Sequence, residues 1–192
     1  MSEAMTTAPR AQARVGSGQF RILFVCTANI CRSAYAEAAA RQRSSALVEF
    51  ESAGTHALDG RGMDPLIAAL LPPDAAPHEH RARQLVGDQV SRADLVLVMA
   101  GDHRRFVLDE WPRHGRKTFV IGHVARVLSE LPDGVELDRV AAHLWSRRSA
   151  DPSDEVPDPY GQGRSATADA ARAIDRFLDV ILLRLERLAR HR

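Results

Sequence analysis

Two cysteines, an arginine and a serine lie within residues 26–33, whose sequence is CTANICRS. The chain has only these two cysteines. A short apolar run at residues 20–25 comes directly before the first cysteine, and an alanine-rich segment follows the serine. In open parallel sheets, ligands bind beyond the carboxyl ends of the strands, where a turn of this kind would lie. The segment is therefore the first candidate for an active site.

The residue types in this turn suit a phosphate-binding cup with a thiol at its base. If Cys26 ends a strand and a helix begins near Ser33, the backbone NH groups between them surround one small volume, and the helix N-terminus adds partial positive charge. The guanidinium of Arg32 can hold two oxygens of a tetrahedral anion. The same positive field favours the nucleophilic thiolate of Cys26, and Ser33 can donate a hydrogen bond to the sulfur.

Other motifs fit this turn poorly. The nucleotide-binding phosphate loop needs a pair of glycines and a lysine, which the segment lacks. A structural zinc site needs four ligands, and no paired histidines lie near the two cysteines, so no metal is expected. A buried cysteine beside an unrelated surface arginine is the remaining alternative. The position between a strand pattern and a helix pattern favours a nucleophile at Cys26.

Residues 26–33 resemble the signature loop of the low-molecular-weight protein tyrosine phosphatases, which also directly follows the first strand. Three further segments resemble family motifs in the same order: SAGT at 52–55, HRARQ at 80–84 and DPY at 158–160. Together they extend the resemblance over residues 20–190. The resemblance implies a phosphatase, without cofactor, that hydrolyses phosphotyrosine or other aryl phosphate monoesters through a phosphocysteine intermediate.

The resemblance also implies a role for each matching residue. Cys26 is the nucleophile that attacks phosphorus, Arg32 holds the phosphate, and Asp158 is the general acid that protonates the leaving group. The loop residues expected to bind phosphate are Thr27, Ala28, Asn29, Ile30, Cys31, Arg32 and Ser33. The residues expected to support the loop through a polar network are Asn29, Ser33, Ser52 and His80.

Further roles are expected around the nucleophile. By the same resemblance, Ile30 and Tyr160 line the entrance to the site and contact the aromatic ring of the substrate. Cys31 matches a second loop cysteine that can form a reversible disulfide with Cys26 under oxidation. Packing behind the loop is the alternative for Cys31.

The chain departs from the usual family pattern at three places. Ala34 stands where many members have proline, residues 56–58 read His-Ala-Leu where a large aromatic residue is common, and Gly161 replaces a second tyrosine. The last two differences make one substrate-facing wall less aromatic. They therefore put a preference for tyrosine-phosphorylated peptides in question.

Three other functions stay open. A phosphoarginine phosphatase tends to carry threonine where this chain has Ile30, which favours an aryl substrate. An arsenate reductase on the same fold relays oxidation through further cysteines, which this chain lacks. A phosphate-binding module without turnover would need no general acid. By composition alone Asp151 and Asp154 rival Asp158 for that acid role.

Strand and helix patterns alternate along the chain. The predicted strands occupy residues 20–25, 47–51, 95–99 and 118–121. The predicted helices occupy residues 34–43, 64–71, 83–90, 102–109, 122–131 and 135–148, with a final helix through residues 174–188. This alternation predicts an α/β fold, a three-layer doubly wound sandwich with a central, mostly parallel four-stranded sheet and helices on both faces.

Length and composition indicate an ordinary globular protein. Of 192 residues, 45% are hydrophobic and 27% charged, and the net charge of +1 gives no reason to expect a nucleic acid or membrane partner. We expect a flexible N-terminal arm at residues 1–18 and a single phosphatase domain at 19–192, with an extra helical insertion near 132–153. The absence of an apolar signal segment and the closely spaced cysteines predict a cytoplasmic protein.

Overall fold

The computed structural model describes residues 19–44 and 47–189. A four-stranded parallel sheet lies at the centre, with the strand order β2–β1–β3–β4. Its strands are β1 (Phe20–Cys26), β2 (Val48–Gly54), β3 (Leu95–Val98) and β4 (Thr118–Val120). From β1 the chain first adds β2 on one side of the sheet and then β3 and β4 on the other side. The direction of winding therefore changes beside β1. A crevice for ligands is expected at such a point.

Helices connect and cover the strands. The α-helices are α1 (Arg32–Arg43), α2 (Pro65–Ala68), α3 (Gly87–Arg92), α4 (Gly101–Glu110), α5 (Ile121–Ser129), α6 (Val140–Ser146) and α7 (Gly163–Ala189). Short 3-10 turns occupy Pro73–Ala75, Pro77–Glu79, Pro112–Lys117, Leu137–Arg139 and Pro152–Asp154. Within the described ranges, no helix combines the length and the apolar character needed to cross a membrane.

Side chains of the central strand alternate between two cores. Ile22 and Phe24 of β1 join a large cluster with α1, α5 and α7, whereas Leu23 and Val25 join a smaller cluster with α3 and α4. This alternation follows from the two-residue repeat of a strand, and burial on both faces explains the continuous apolar runs in the sequence. The predicted three-layer α/β sandwich is confirmed.

Several predicted element boundaries are wrong. The helix predicted over residues 83–90 begins only at Gly87, because Gln84 forms a bridge with Gly54 at the end of β2. Ile121, predicted as the end of a strand, begins α5, and the helix predicted over residues 135–148 is a 3-10 turn followed by α6. For the helix that begins at Gly87, a tertiary pairing set the boundary, and local patterns did not reveal it.

The predicted division of the chain stays a prediction. The proposed arm, residues 1–18, lies outside the described residues. The proposed insertion, residues 132–153, contains α6, the whole 3-10 turn Leu137–Arg139 and part of the turn Pro152–Asp154, and residues 154–157 separate it from the Asp-Pro-Tyr segment.

Candidate active site

The cysteine turn lies at the carboxyl end of the central strand. Cys26 is the last residue of β1, and α1 begins at Arg32, one residue before the predicted start near Ser33. Both cysteines are buried and free. Within the turn Asn29 has a φ of 55°, a left-handed conformation that asparagine adopts more readily than most residues.

The carbonyl groups of residues 26–31 all point out of the turn. These six consecutive carbonyls accept hydrogen bonds from groups outside it, at 2.7–3.1 Å. In chain order the donors are Thr55 N, His56 N, Leu58 N, His80 Nε2, Asp64 N and Tyr35 N. Because the NH of a trans peptide points away from its carbonyl, the intervening NH groups face the inside of the turn. That arrangement can bind an anion.

Arg32 adds a buried guanidinium to this turn. Its side chain is 5% exposed, Nη1 donates to Val156 O at 3.1 Å, and Nη2 lies 2.8 Å from Asp158 Oδ2. Nε is buried and has no hydrogen-bond partner within the part of the chain that the structure describes. Leaving a buried donor unpaired costs free energy. An oxygen of an anion held by the turn would satisfy it.

A hydrogen-bond network directs the Ser33 hydroxyl toward the Cys26 sulfur, which lies 2.9 Å from it. Asn29 Oδ1 accepts from the Arg83 backbone NH at 2.9 Å, which fixes the orientation of the amide. Its Nδ2 therefore donates to Ser33 Oγ at 2.9 Å. The Ser33 proton is left to donate elsewhere, and the sulfur is closer than the Ala53 carbonyl at 3.4 Å. The network thus stabilises a thiolate.

The same amide connects the turn to a buried carboxylate that the sequence interpretation missed. Asn29 Nδ2 donates to Ser52 Oγ at 2.8 Å, and Ser52 donates to Glu37 Oε2 at 2.5 Å. Glu37 is 7% exposed and pairs with Arg41 at 2.7 Å. It lies one helical turn after Ser33 on α1, and this spacing was the available signal.

His80 supports the turn from outside. Its Nε2 donates to Asn29 O at 2.7 Å, and since a carbonyl oxygen only accepts, Nε2 carries the hydrogen. Burial lowers the pKa of His80, and the hydrogen bond to Asn29 opposes this effect. His80 is therefore a neutral donor at neutral pH.

His103, to which the sequence interpretation gave no role, also contacts the turn. It is 3% exposed on α4, and its Nε2 lies 2.9 Å from Thr27 Oγ1. Nδ1 lies 3.4 Å from Asp102 Oδ1 and has no hydrogen-bond partner in the described ranges. Burial lowers the pKa of His103 to about 4, although Asp102 acts in the opposite direction. In the favourable neutral form, Nδ1 carries the hydrogen and faces Asp102, and Nε2 accepts a hydrogen bond from the Thr27 hydroxyl.

Three aspartates were considered for a general acid, and they lie in different surroundings. Asp158 is 51% exposed at its side chain, contacts Arg32 at 2.8 Å, and accepts the Tyr160 backbone NH at 3.2 Å. Asp154 is buried and pairs with Arg126 at 2.7 Å. Asp151 is exposed and caps a 3-10 turn by accepting the Ser153 NH at 2.9 Å. The structure therefore brings Asp158, of these three, to Arg32.

The remaining predicted residues differ in exposure. Tyr160 is 56% exposed beside Asp158, whereas Ile30 is 4% exposed, which leaves Ile30 little surface for a substrate ring. Cys31 is buried at the start of α1. Burial, with the nearby Asp64 carboxylate, raises the pKa of Cys31 to about 12. Cys31 is therefore a neutral thiol at physiological pH and not a competing nucleophile.

Sequence comparisons agree on one family. Residues 21–141 match the family described as low molecular weight phosphotyrosine protein phosphatase. A probable low molecular weight protein-tyrosine-phosphatase of Ralstonia solanacearum is 32% identical over 172 residues, covering 87% of this chain and 97% of the relative. A protein-arginine-phosphatase of Geobacillus stearothermophilus is 33% identical over 102 residues, covering 53% of this chain and 69% of that protein.

Structural comparison finds the same fold. The tyrosine phosphatase AmsI of Erwinia amylovora superposes with a TM-score of 0.65 at 24% identity, covering 89% of this chain and 96% of that one.

The family match ends at residue 141, before Asp158. The selection of Asp158 therefore depends on its contact with Arg32 and on the Asp-Pro-Tyr motif.

Proposed function

The chain belongs to the low molecular weight phosphotyrosine protein phosphatase family, and on that basis we propose that Cys26, Arg32 and Asp158 hydrolyse aryl phosphate monoesters, phosphotyrosine in proteins above all. One observation carries the assignment of these residues. A free cysteine ends the central strand below a ring of inward NH groups, and the arginine of that ring contacts an aspartate on a separate loop. We propose a cytoplasmic location and a phosphoprotein partner.

Substrate binding uses the positive field of the turn. The phosphate accepts hydrogen bonds from the NH groups of residues 27–33 and from the Arg32 guanidinium, whose Nε is buried and unpaired within the described chain. The exposed Tyr160 lies beside the acid, where it can contact the aryl ring.

The first chemical step transfers the phosphoryl group to sulfur. The Cys26 thiolate attacks phosphorus, and the bond from phosphorus to the aryl oxygen breaks. Asp158 donates its proton to that oxygen, so that a neutral phenol leaves. Ser33 donates to the sulfur at 2.9 Å and stabilises the thiolate before attack. The inward NH groups stabilise the charge on the equatorial oxygens during transfer.

The second step regenerates the enzyme. Asp158, now a carboxylate, accepts a proton from a water molecule that attacks phosphorus of the phosphocysteine. The sulfur leaves as a thiolate, which Ser33 and the helix N-terminus stabilise. Inorganic phosphate then dissociates. When a peroxide oxidises Cys26 to a sulfenic acid, we propose that the Cys31 thiol attacks that sulfur with loss of water, and that the resulting disulfide prevents further oxidation of the nucleophile.

The first experiment is the hydrolysis of para-nitrophenyl phosphate by the wild type and by Cys26→Ser. We expect turnover in the wild type, none in the variant, and retained binding of inorganic phosphate by the variant. Cys31→Ser is the matched control, because it alters the other loop thiol, and it should keep turnover. Turnover by Cys26→Ser would refute the mechanism, and binding without turnover by the wild type would indicate a phosphate-binding module.

Phosphoarginine is the second candidate substrate, because one relative is named a protein-arginine-phosphatase. The exposed ring of Tyr160 favours an aryl ester. Release of phosphate from matched phosphotyrosine and phosphoarginine peptides distinguishes the two. We expect a higher kcat/KM for the phosphotyrosine peptide, and the reverse ranking would reassign the substrate.

A further inference from the structure

Behind the loop that carries Asp158, the buried Asp154 pairs with the partly exposed Arg126, and we propose that these two are positioning residues for the general acid. The inference rests on the proposed role of Asp158. Neither residue touches the phosphate-binding turn in the contacts of the described chain. Their effect would pass through the three residues that separate Asp154 from Asp158.

The ion pair is a two-point contact. Arg126 Nη2 lies 2.7 Å from Asp154 Oδ2, and Nε lies 3.3 Å from Oδ1. Asp154 is 4% exposed, and the hydrogen bond to it raises the pKa of Arg126. Arg126 also donates to Ser149 Oγ at 3.0 Å. Paired charges with two hydrogen bonds define an orientation as well as a distance.

The backbone of Asp154 is fixed by the same helix. A Cβ added to Gly122, near the start of α5, would lie 2.4 Å from Asp154 Cα and 2.5 Å from its carbonyl oxygen. A glycine at this position permits the close approach. Gly122 and Arg126 lie one helical turn apart on α5, so a single helix face contacts both the backbone and the side chain of Asp154.

The chain beyond Asp154 has little freedom to absorb a displacement. Glu155 Oε1 accepts the Gly101 NH at 2.9 Å, at the start of α4. Val156 donates to Met99 O at 2.8 Å and accepts from Arg32 at 3.1 Å. Asp158 itself lies between two prolines, whose rings fix φ on either side of it. We expect a shift at Asp154 to tilt the segment about the fixed Val156, so that the Asp158 carboxylate moves while Arg32 keeps its acceptor.

This arrangement predicts a specific kinetic signature. Phenolate is a poor leaving group and needs its proton during bond breaking, whereas para-nitrophenolate needs it less. A displaced acid should therefore slow phenyl phosphate more than para-nitrophenyl phosphate. Phosphate affinity should not change, because the NH groups and Arg32 stay in place. General loss of folded protein would instead lower both activities equally.

The experiment measures kcat/KM for both esters, and competitive inhibition by inorganic phosphate, in Asp154→Asn. We expect phenyl phosphate to lose about tenfold more than para-nitrophenyl phosphate, with an unchanged inhibition constant. Asp158→Asn is the reference for a missing acid. Asp175→Asn is the matched control, because it breaks another partly buried aspartate–arginine pair, at 2.5 Å to Arg43, away from this loop.

A second variant and a reference variant separate a positioning effect from a folding defect. Arg126→Lys keeps the charge but not the two-point contact, and it replaces Asp154→Asn if that variant does not fold. Equal losses for both esters, a weaker phosphate affinity, or no loss at all would overturn the positioning role. If Asp158→Asn also fails to distinguish the esters, the acid assignment is wrong as well. If the wild type hydrolyses neither ester, the proposed function has failed.

Discussion

Gly54 approaches Thr27 so closely that a Cβ on the glycine would lie 2.5 Å from the Thr27 carbonyl oxygen. The same Cβ would lie 3.0 Å from Asn29 N, inside the phosphate-binding turn. Gly54 pairs in register with Cys26, and the next residue, Thr55, donates to the Cys26 carbonyl at 2.9 Å. The end of β2 therefore forms one wall of the turn. Because Gly54 has no side chain, the turn can pass close to β2.

Gly54→Ala should push the turn away from β2. We expect kcat/KM for para-nitrophenyl phosphate to fall at least about tenfold, with weaker inhibition by phosphate, because both depend on the positions of the NH groups. Gly62→Ala is the control, since nothing lies within 4 Å of a Cβ there. Near wild-type kinetics for Gly54→Ala would show that the turn does not depend on this contact.

The sequence allowed the local part of the site to be predicted. Cys26, Asn29 and Ser33 belong to one short segment whose strand–turn–helix pattern is visible in the residue types. The four-stranded parallel fold was also predictable, because buried strands and amphipathic helices have different periodicities. The Asp-Pro-Tyr motif favoured Asp158 over Asp151 and Asp154, and the structure adds the contact of Asp158 with Arg32.

The missed residues have in common that they reach the site through tertiary contacts. His103 contacts Thr27 across 76 positions of sequence, and Arg126 reaches Asp154 across 28. Single-sequence patterns contain no information on which surface histidine or arginine will be buried beside another element. Glu37 could have been predicted from the sequence, since it follows Ser33 by one helical turn, but its burial depends on contact with β2 through Ser52.

Replacing the Glu37 carboxylate, which accepts a hydrogen bond from Ser52, should reduce the stabilisation of the Cys26 thiolate by Ser33. In Glu37→Leu, Ser52 no longer has a carboxylate to accept its proton, so Asn29 loses a constraint that directs Ser33 toward the sulfur. We expect iodoacetamide to alkylate Cys26 several-fold more slowly at slightly acidic pH, measured by mass spectrometry in a Cys31→Ser background. Glu37→Gln keeps an acceptor and serves as the control. Equal alkylation rates in all variants would exclude this role.

The acid assignment predicts a contrast between two aspartates of the same loop. Asp158→Ala should lower kcat/KM for phenyl phosphate by about a hundredfold, the lower range for loss of a general acid. Asp151→Ala should stay near the wild type, because Asp151 is exposed and its side chain contacts Ser153. Steady-state kinetics test this prediction. A large loss of kcat/KM in Asp151→Ala but not in Asp158→Ala would reassign the general acid to Asp151.

His103 should make the stability of the fold depend on pH. Burial lowers its pKa in the folded protein to about 4, whereas an unfolded histidine titrates near about 6.5. Between these values the unfolded chain binds more protons, so the free energy of unfolding rises with pH across this window. The stability that depends on neutral His103 is fully present above the pKa of the unfolded state and is lost as pH falls toward the pKa of the folded state. It amounts to about 3 kcal/mol for a shift of this size.

His103→Gln should remove much of this dependence, because glutamine keeps a polar atom near Thr27 but does not titrate. We expect the difference between the unfolding free energies at about pH 7 and about pH 4.5 to shrink by about 2 kcal/mol in the variant. Urea denaturation followed by circular dichroism measures it. His143→Gln, a half-buried histidine on α6, is the control and should keep the wild-type difference. Asp102 and Asp158 raise the pKa of His103, whereas Arg32 lowers it as burial does. The same difference in His103→Gln and the wild type would therefore mean that the two carboxylates cancel the effects of burial and of Arg32.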